Sequence, residues 1–148
     1  MKLSIRAYNF DYILSKPLIL NQLKELNGLK DGADASGMMH QIEKFKTLPN
    51  KNSLKIILAY HSHKIIGWAM VTKENKLIQP YRMYRKELSD YHEFQIYIHQ
   101  DFRQRGFGSQ IVSFVKKYYP NLGACWWDVK SERFFFKNNI NGKFYAHF

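Results

Sequence analysis

The sequence predicts a mixed α/β fold, α+β in its segregation, with helices flanking a central, mostly antiparallel sheet. Three observations carry this. Two apolar, β-rich runs, Leu54–Tyr60 and Ile65–Thr72, are joined only by His61-Ser62-His63-Lys64, which makes them a hairpin. An alternating run, Glu93–His99, leads through a glycine-bearing turn into an amphipathic helix, Gly108–Tyr119. A further apolar run, Ala124–Val129, follows that helix, and the strand–helix–strand crossover gives the sheet its mixed character.

The remaining elements fall around these. Leu3, Ile5 and Ala7 alternate with Ser4, Arg6 and Tyr8, the period of a strand. Tyr12–Leu26 carries apolar residues at Ile13, Leu14, Leu18, Leu20, Leu23 and Leu26 and reads as helix, interrupted or started near Pro17 and stopped by Asn27-Gly28. Asp31–Gly37 is small and polar, a loop, and Met38–Phe45 reads as a short helix ending before Pro49-Asn50. Lys73–Asp90 is irregular, basic and tyrosine-rich, and is expected to cross an edge or face of the sheet.

In Glu93–His99, Phe94, Ile96 and Ile98 share one face, and Glu93, Gln95, Tyr97 and His99 the other. The helix Gly108–Tyr119 places Ile111, Phe114, Val115 and Tyr118 on one side. Lys116 and Lys117 complement its C-terminal dipole, and Pro120 ends it. Ser131–Asn138 reads as a short helix and Lys143–Phe148 as a last strand. With no repeat, linker or low-complexity tract, residues 1–148 read as one domain.

At 148 residues with 45% hydrophobic content, the chain has enough apolar area for a core of its own. Its net charge of +11 attracts polyanions: nucleic acid, an acidic protein surface, or the phosphates of a cofactor. The single cysteine, Cys125, excludes an internal disulfide and a multi-cysteine metal site. Lying in the apolar run Ala124–Trp127, it reads as a small buried residue. The N-terminal residues lack the apolar stretch of a signal peptide, and no run approaches the ~20 apolar residues of a membrane-spanning helix. A reduced, cytoplasmic protein is the expectation.

The chemistry concentrates in Phe94–Ser109. Here a strand runs into Arg103-Gln104-Arg105-Gly106-Phe107-Gly108 and then directly into a helix. Glycine lets the backbone approach a ligand closely, and the first N–H groups of the helix, at its positive end, form a site suited to a pyrophosphate. Arg103 and Arg105 add charge at its rim. A dinucleotide-binding loop needs Gly-x-Gly-x-x-Gly with an acid ~20 residues on, and a Walker loop ends in Gly-Lys-Ser/Thr; neither is present.

Ile96–Ser109 resembles the central motif of the GNAT acetyltransferases, whose loop is (Gln/Arg)-x-x-Gly-x-(Gly/Ala), here Arg103 to Gly108. The order of elements agrees with that family over nearly the whole chain. The resemblance implies an N-acetyltransferase that moves an acetyl group from acetyl-CoA to an amine by direct attack in a ternary complex. It implies that Ile96, Tyr97 and Ile98 offer backbone groups to the pantetheine and the acyl carbonyl. Gln104, Arg105, Gly106, Phe107, Gly108 and Ser109 would wrap the pyrophosphate. The splayed end of Glu93–His99 against Ala124–Val129 would form the pantetheine slot.

Amine acetylation needs a neutral amine, a stabilised oxyanion and a proton for the departing thiolate. Backbone N–H groups at Ile96–Ile98 suit the oxyanion. Glu93 is the only acid in Tyr91–Gln100 and the leading candidate base, with His92 and Asp128 behind it. Its parity is opposite to Ile96 and Ile98, and the alternative reading is a polar residue facing outward. Many family members carry a tyrosine in a Tyr-x-x-x-Gly-Phe segment after the fifth strand. The matching segment, Phe135-Phe136-Lys137-Asn138-Asn139-Ile140, puts phenylalanine there. Tyr145 or water then supplies the proton, or the chain is a weak or inactive module that binds nucleic acid or a protein partner through its basic surface.

His61 and His63, without acidic or cysteine partners, read as solvated turn residues, and no metal is expected. Tyr81, Arg82, Tyr84, Arg85 and Lys86 interleave aromatic rings with charge, suited to covering the sheet or to stacking bases. The resemblance places Asp31–Phe45 and Lys73–Asp90 on the acceptor side. The resemblance implies an amine acceptor on a small molecule, a protein or a nucleic acid, and the net charge ranks an anionic acceptor above a polycation such as an aminoglycoside.

Overall fold

Six strands form one sheet in the order in which they occur in the chain. The computed structural model describes residues 3–27, 42, 43, 46, 54–72, 92–126 and 129–144. β1 (Ser4–Asn9), β2 (Leu54–His61), β3 (Lys64–Thr72) and β4 (His92–Ile98) pair antiparallel, neighbour to neighbour; β5 (Leu122–Trp126) and β6 (Asn141–Phe144) extend the sheet in parallel. The mixed, mostly antiparallel sheet is the one read from the sequence.

The β2–β3 hairpin turns at Ser62 (φ 50°) and His63 (φ 66°), two left-handed residues in succession. Such a turn matches the twist of the flanking strands. Its His61 ring packs on Phe102 at 5.3 Å, which ties the hairpin to the turn after β4.

The helical stretch expected over Tyr12–Leu26 is two helices, α1 (Phe10–Leu14) and α2 (Pro17–Asn27). Proline lacks the N–H that would continue α1 and has the φ that starts α2, so the break falls at Ser15-Lys16. Ser15 closes α1 by donating its N–H to Asp11 O and its Oγ hydrogen to Tyr12 O at 2.7 Å.

Each face of the sheet has its own core. α1 and α2 bury Phe10, Ile13, Leu23 and Leu26 against Ile56, Leu58, Trp68 and Met70. On the other face α3 (Phe107–Lys116) buries Phe107, Ile111, Val112 and Val115 against Ile57, Ala69, Phe94 and Ala124, beside Phe135 of α4 (Val129–Lys137). Removing Phe94, only 1% exposed, would cost about 3–5 kcal/mol.

Two strand boundaries differ from expectation. The fifth strand begins at Leu122, not Ala124, and ends at Trp126; Val129 opens α4 instead of closing the strand. Gly123 interrupts the apolar run, yet it pairs with Glu93, and Leu122 beside it is buried. The sixth strand begins at Asn141 because Asn139, at φ 55°, turns the chain straight out of α4. The segments 28–41, 47–53 and 73–91, with Trp127, Asp128 and Tyr145–Phe148, lie outside the described residues, and so do the expectations placed on them.

Candidate coenzyme and acceptor site

β4 and β5 pair only at His92–Leu122 and Glu93–Gly123, where both strands begin. The His92 N–H also donates to Asn121 O at 2.9 Å. β4 meanwhile stays in register with β3 as far as Ile98, opposite Gly67. From Phe94 to Ile98, therefore, the edge of β4 toward β5 has no strand partner among the described residues. A crevice opens there toward the carboxyl ends of two parallel strands, the position where open α/β sheets bind ligands. Ile96 and Ile98 are half-buried on its α3 side.

The same end of β4 leads into the loop. After a short turn, Gln100–Phe102, in which His99 Nδ1 accepts from Asp101 N–H at 3.0 Å, the chain passes Gln104 at φ 60° and Gly106 at φ 78°. Gly106 caps α3, and a cap without a side chain leaves the first N–H groups uncovered. The first bond of the helix, Gln110 N–H to Gly106 O, leaves Phe107, Gly108 and Ser109 N–H without intrahelical acceptors. Three N–H groups and the positive end of a ten-residue helix thus stand beside the crevice.

The two arginines of the loop divide. Arg105 is exposed, its guanidinium 5.5 Å from the centre of the Phe102 ring. Arg103 turns back onto the strand, donating from Nε to Ile98 O at 2.7 Å and lying 5.4 Å over the Tyr97 ring. It braces the exit of β4 as well as adding charge. The two glycines also differ. A Cβ on Gly106 would meet nothing within 4 Å, so that position needs glycine for its left-handed φ. A Cβ on Gly108 would stand 2.7 Å from the Phe134 ring, so Gly108 makes room for α4.

Glu93, Gln95 and Tyr97 face away from α3, toward the α1–α2 side. Tyr97 stacks there on Trp68, with ring centres 6.3 Å apart. Glu93 is 5% exposed and lies opposite the buried Thr72, so it is not the outward-facing polar residue of the alternative reading. Trp68 Nε1 on this face is buried and makes no hydrogen bond among the described residues.

At the end of α4, Phe135 is buried edge-on against Phe94 with ring centres 6.5 Å apart, Phe134 packs on α3, and Phe136 is 61% exposed. None of the three brings a hydroxyl to the crevice. Three consecutive aromatics on a helix point three ways, and that was the signal in the sequence for a ring against α3. Among the described residues no three His, Cys, Asp or Glu side chains gather into a metal-binding group, and no helix is long and apolar enough to cross a membrane.

Residues 23–138 match the acetyltransferase (GNAT) family. No curated protein matches the chain significantly. Among solved structures it is similar to AAC(6')-Iy in complex with the bisubstrate analogue CoA-S-monomethyl-acetylneamine, at 15% identity and a TM-score of 0.59 over 95% of this chain and 92% of that one. It is also similar to the aminoglycoside antibiotic 6'-N-acetyltransferase AAC(6')-IG from Acinetobacter haemolyticus, at 13% identity and a TM-score of 0.59 over 93% and 90%. A third likeness is to the aminoglycoside N-acetyltransferase AAC(6')-Iy in complex with CoA, at 14% identity and a TM-score of 0.57 over 91% and 89%. With a family match spanning most of its length, a glycine-capped helix after β4 and a sheet that parts beside it, the chain belongs to the GNAT acetyltransferase family.

Proposed function

We propose that the chain transfers an acetyl group from acetyl-CoA to an amine, with both substrates bound together. The observation that carries this is the coincidence of two features at one end of β4: the crevice toward β5 and the uncapped N-terminus of α3. The backbone groups of Ile96 and the N–H of Ile98 along the free edge would pair with the pantetheine arm, whereas those of Tyr97 point to β3 and the Ile98 carbonyl is held by Arg103. The N–H groups of Phe107, Gly108 and Ser109 would take the pyrophosphate, with Gln104, Arg105 and Gly106 shaping the loop around it. Arg103 would hold the exit of the strand in place.

The acceptor would enter from the opposite face, where Glu93 lies. Glu93 would take the proton that the amine loses as its nitrogen attacks the acetyl carbon, directly or through a water. The backbone N–H groups of β4 would stabilise the oxyanion, and collapse of that intermediate breaks the carbon–sulfur bond and releases the thiolate. Since α4 offers phenylalanines, the thiolate would draw its proton from water or from Tyr145. The structural relatives named for aminoglycosides make a small-molecule amine the first class to try, ahead of the anionic acceptors favoured by charge alone.

A second reading rests on Phe135. A chain without the customary hydroxyl could keep the fold and hold nucleic acid or a protein partner through its net charge of +11. CoA release from acetyl-CoA over a broad panel of amines tests the first reading. An inactive protein that binds DNA or RNA with steep salt dependence would favour the second.

A further inference from the structure

β1 ends the sheet on its side, and among the described residues no strand lies beyond it. In an antiparallel ladder each residue turns its N–H and C=O to one side and the next residue turns them to the other. The His99 N–H on Ile66 O sets the phase: Tyr97 faces Trp68, Ala69 faces Ile57, and Leu58 and Ile56 face Arg6 and Tyr8. Leu3, Ile5 and Ala7 therefore turn their backbone groups away from the sheet. The outward Leu3 N–H donates to Gln110 Oε1 at 3.2 Å, a side chain in the place of a strand. Ser4, Arg6, Ala7 and Asn9 are exposed along this edge.

Two grooves lie beside the edge on the α3 face. One, of about 480 Å³, has Leu3 and Ile5 on the strand side and Ser113 and Phe114 on the helix side. The next, of about 420 Å³, has Ala7 and Asn9 facing Phe114 and Tyr118. Their strand walls are successive alternate residues of β1, so the grooves follow the side-chain period of a strand laid beside it. We propose that the free edge of β1 takes an extended segment of a partner protein as an added strand, in which apolar residues alternate with acidic ones. Main-chain bonds to Ile5 and Ala7 would hold the segment, and the grooves would select its apolar side chains. Its acidic side chains fall on the opposite face, beside the exposed Arg6. Lys117 lines the first groove and Lys55 the second, and no described acidic side chain lines either. A second copy of this chain is the poorer occupant, because two chains of net charge +11 repel each other. This surface is separate from acetyl transfer and does not depend on it.

The test is fluorescence anisotropy of a labelled peptide of about eight residues, long enough to span the edge, alternating valine with glutamate. A second peptide carries lysine in place of glutamate. The wild type should bind the glutamate peptide roughly tenfold or more tightly than the lysine one. Ala7→Pro removes an outward N–H and leaves the bonds between β1 and β2 in place, so it should fold and bind the glutamate peptide roughly tenfold or more weakly. Arg6→Glu, an exposed change, should weaken that peptide by about fivefold, the scale of an exposed ion pair. Equal binding of the two peptides by the wild type, or no binding at high micromolar protein, overturns the proposal. So does a folded Ala7→Pro that binds like the wild type. If Ala7→Pro does not fold, Arg6→Glu decides, and an unchanged affinity overturns the assignment. A wild type that sediments as a dimer, with Ala7→Pro a monomer, gives the edge to a second copy and also overturns it.

Discussion

The ring of Phe134 occupies the space where a side chain on Gly108 would stand: a Cβ there would lie 2.7 Å from Cε2 of the ring. Gly108→Ala should therefore destabilise the protein by about 1–3 kcal/mol through overpacking. Pairing it with Phe134→Leu should recover part of that loss. Urea midpoints of the two single variants and the double variant give the coupling, and strict additivity would contradict the contact.

The loop carries two left-handed residues with opposite needs. Gln104 at φ 60° pays a steric cost that glycine avoids, so Gln104→Gly should stabilise by roughly 0.5–1 kcal/mol after the added entropy of the unfolded chain is deducted. Gly106→Ala, at φ 78°, should destabilise by about 1 kcal/mol although its Cβ meets nothing. Thermal denaturation of both variants checks the signs. Equal shifts in one direction would contradict the loop conformation.

Glu93→Gln keeps the shape of the side chain and removes its capacity to accept a proton. If Glu93 is the base, kcat should fall by about 10²–10⁴ while the affinity for acetyl-CoA stays within twofold, roughly, of the wild type. Turnover is followed with an amine that the wild type acetylates, beside calorimetric binding of acetyl-CoA. An unchanged kcat would assign the proton to His92, Asp128 or solvent.

Burial holds the Tyr60 phenol above its ordinary pKa, and its 3.3 Å hydrogen bond with Tyr8 Oη raises it further. A raised pKa means that folding favours the neutral phenol. This contribution is complete below the unfolded value of about 10 and is lost as pH rises toward the folded one. The wild type should lose stability above about pH 10 faster than Tyr60→Phe, which has no proton to lose. Denaturant midpoints of the two proteins at neutral and strongly alkaline pH check this, and a parallel decline would contradict it.

Much of this architecture was legible in the sequence, for local reasons. β2, β3 and β4 announce themselves by apolar runs and alternation, and the parity of Glu93 is opposite to that of Ile96 and Ile98, which puts it on the other face of β4. The strand–glycine–helix passage at Arg103–Gly108 located the candidate anion site. What could not be read depends on contacts distant in sequence. Gly108 and Phe134 are brought together only by the packing of α4. The turning of Arg103 onto Ile98 O requires the path of the loop. Gly123 hid the start of β5 because its membership of the strand comes from pairing with Glu93, and glycine itself has little strand preference. The burial of Glu93 follows from the coverage of that face, which no local pattern encodes.

Titration of acetyl-CoA into the wild type and Gly106→Val by calorimetry tests the central claim most directly. Valine at φ 78° is strained and would distort the turn that presents the N–H groups of Phe107–Ser109. The wild type should give saturable heat with acetyl-CoA and with free CoA, and Gly106→Val, still folded by thermal melt, should give none. No heat from the wild type with either compound at millimolar concentration would contradict coenzyme binding at the N-terminus of α3.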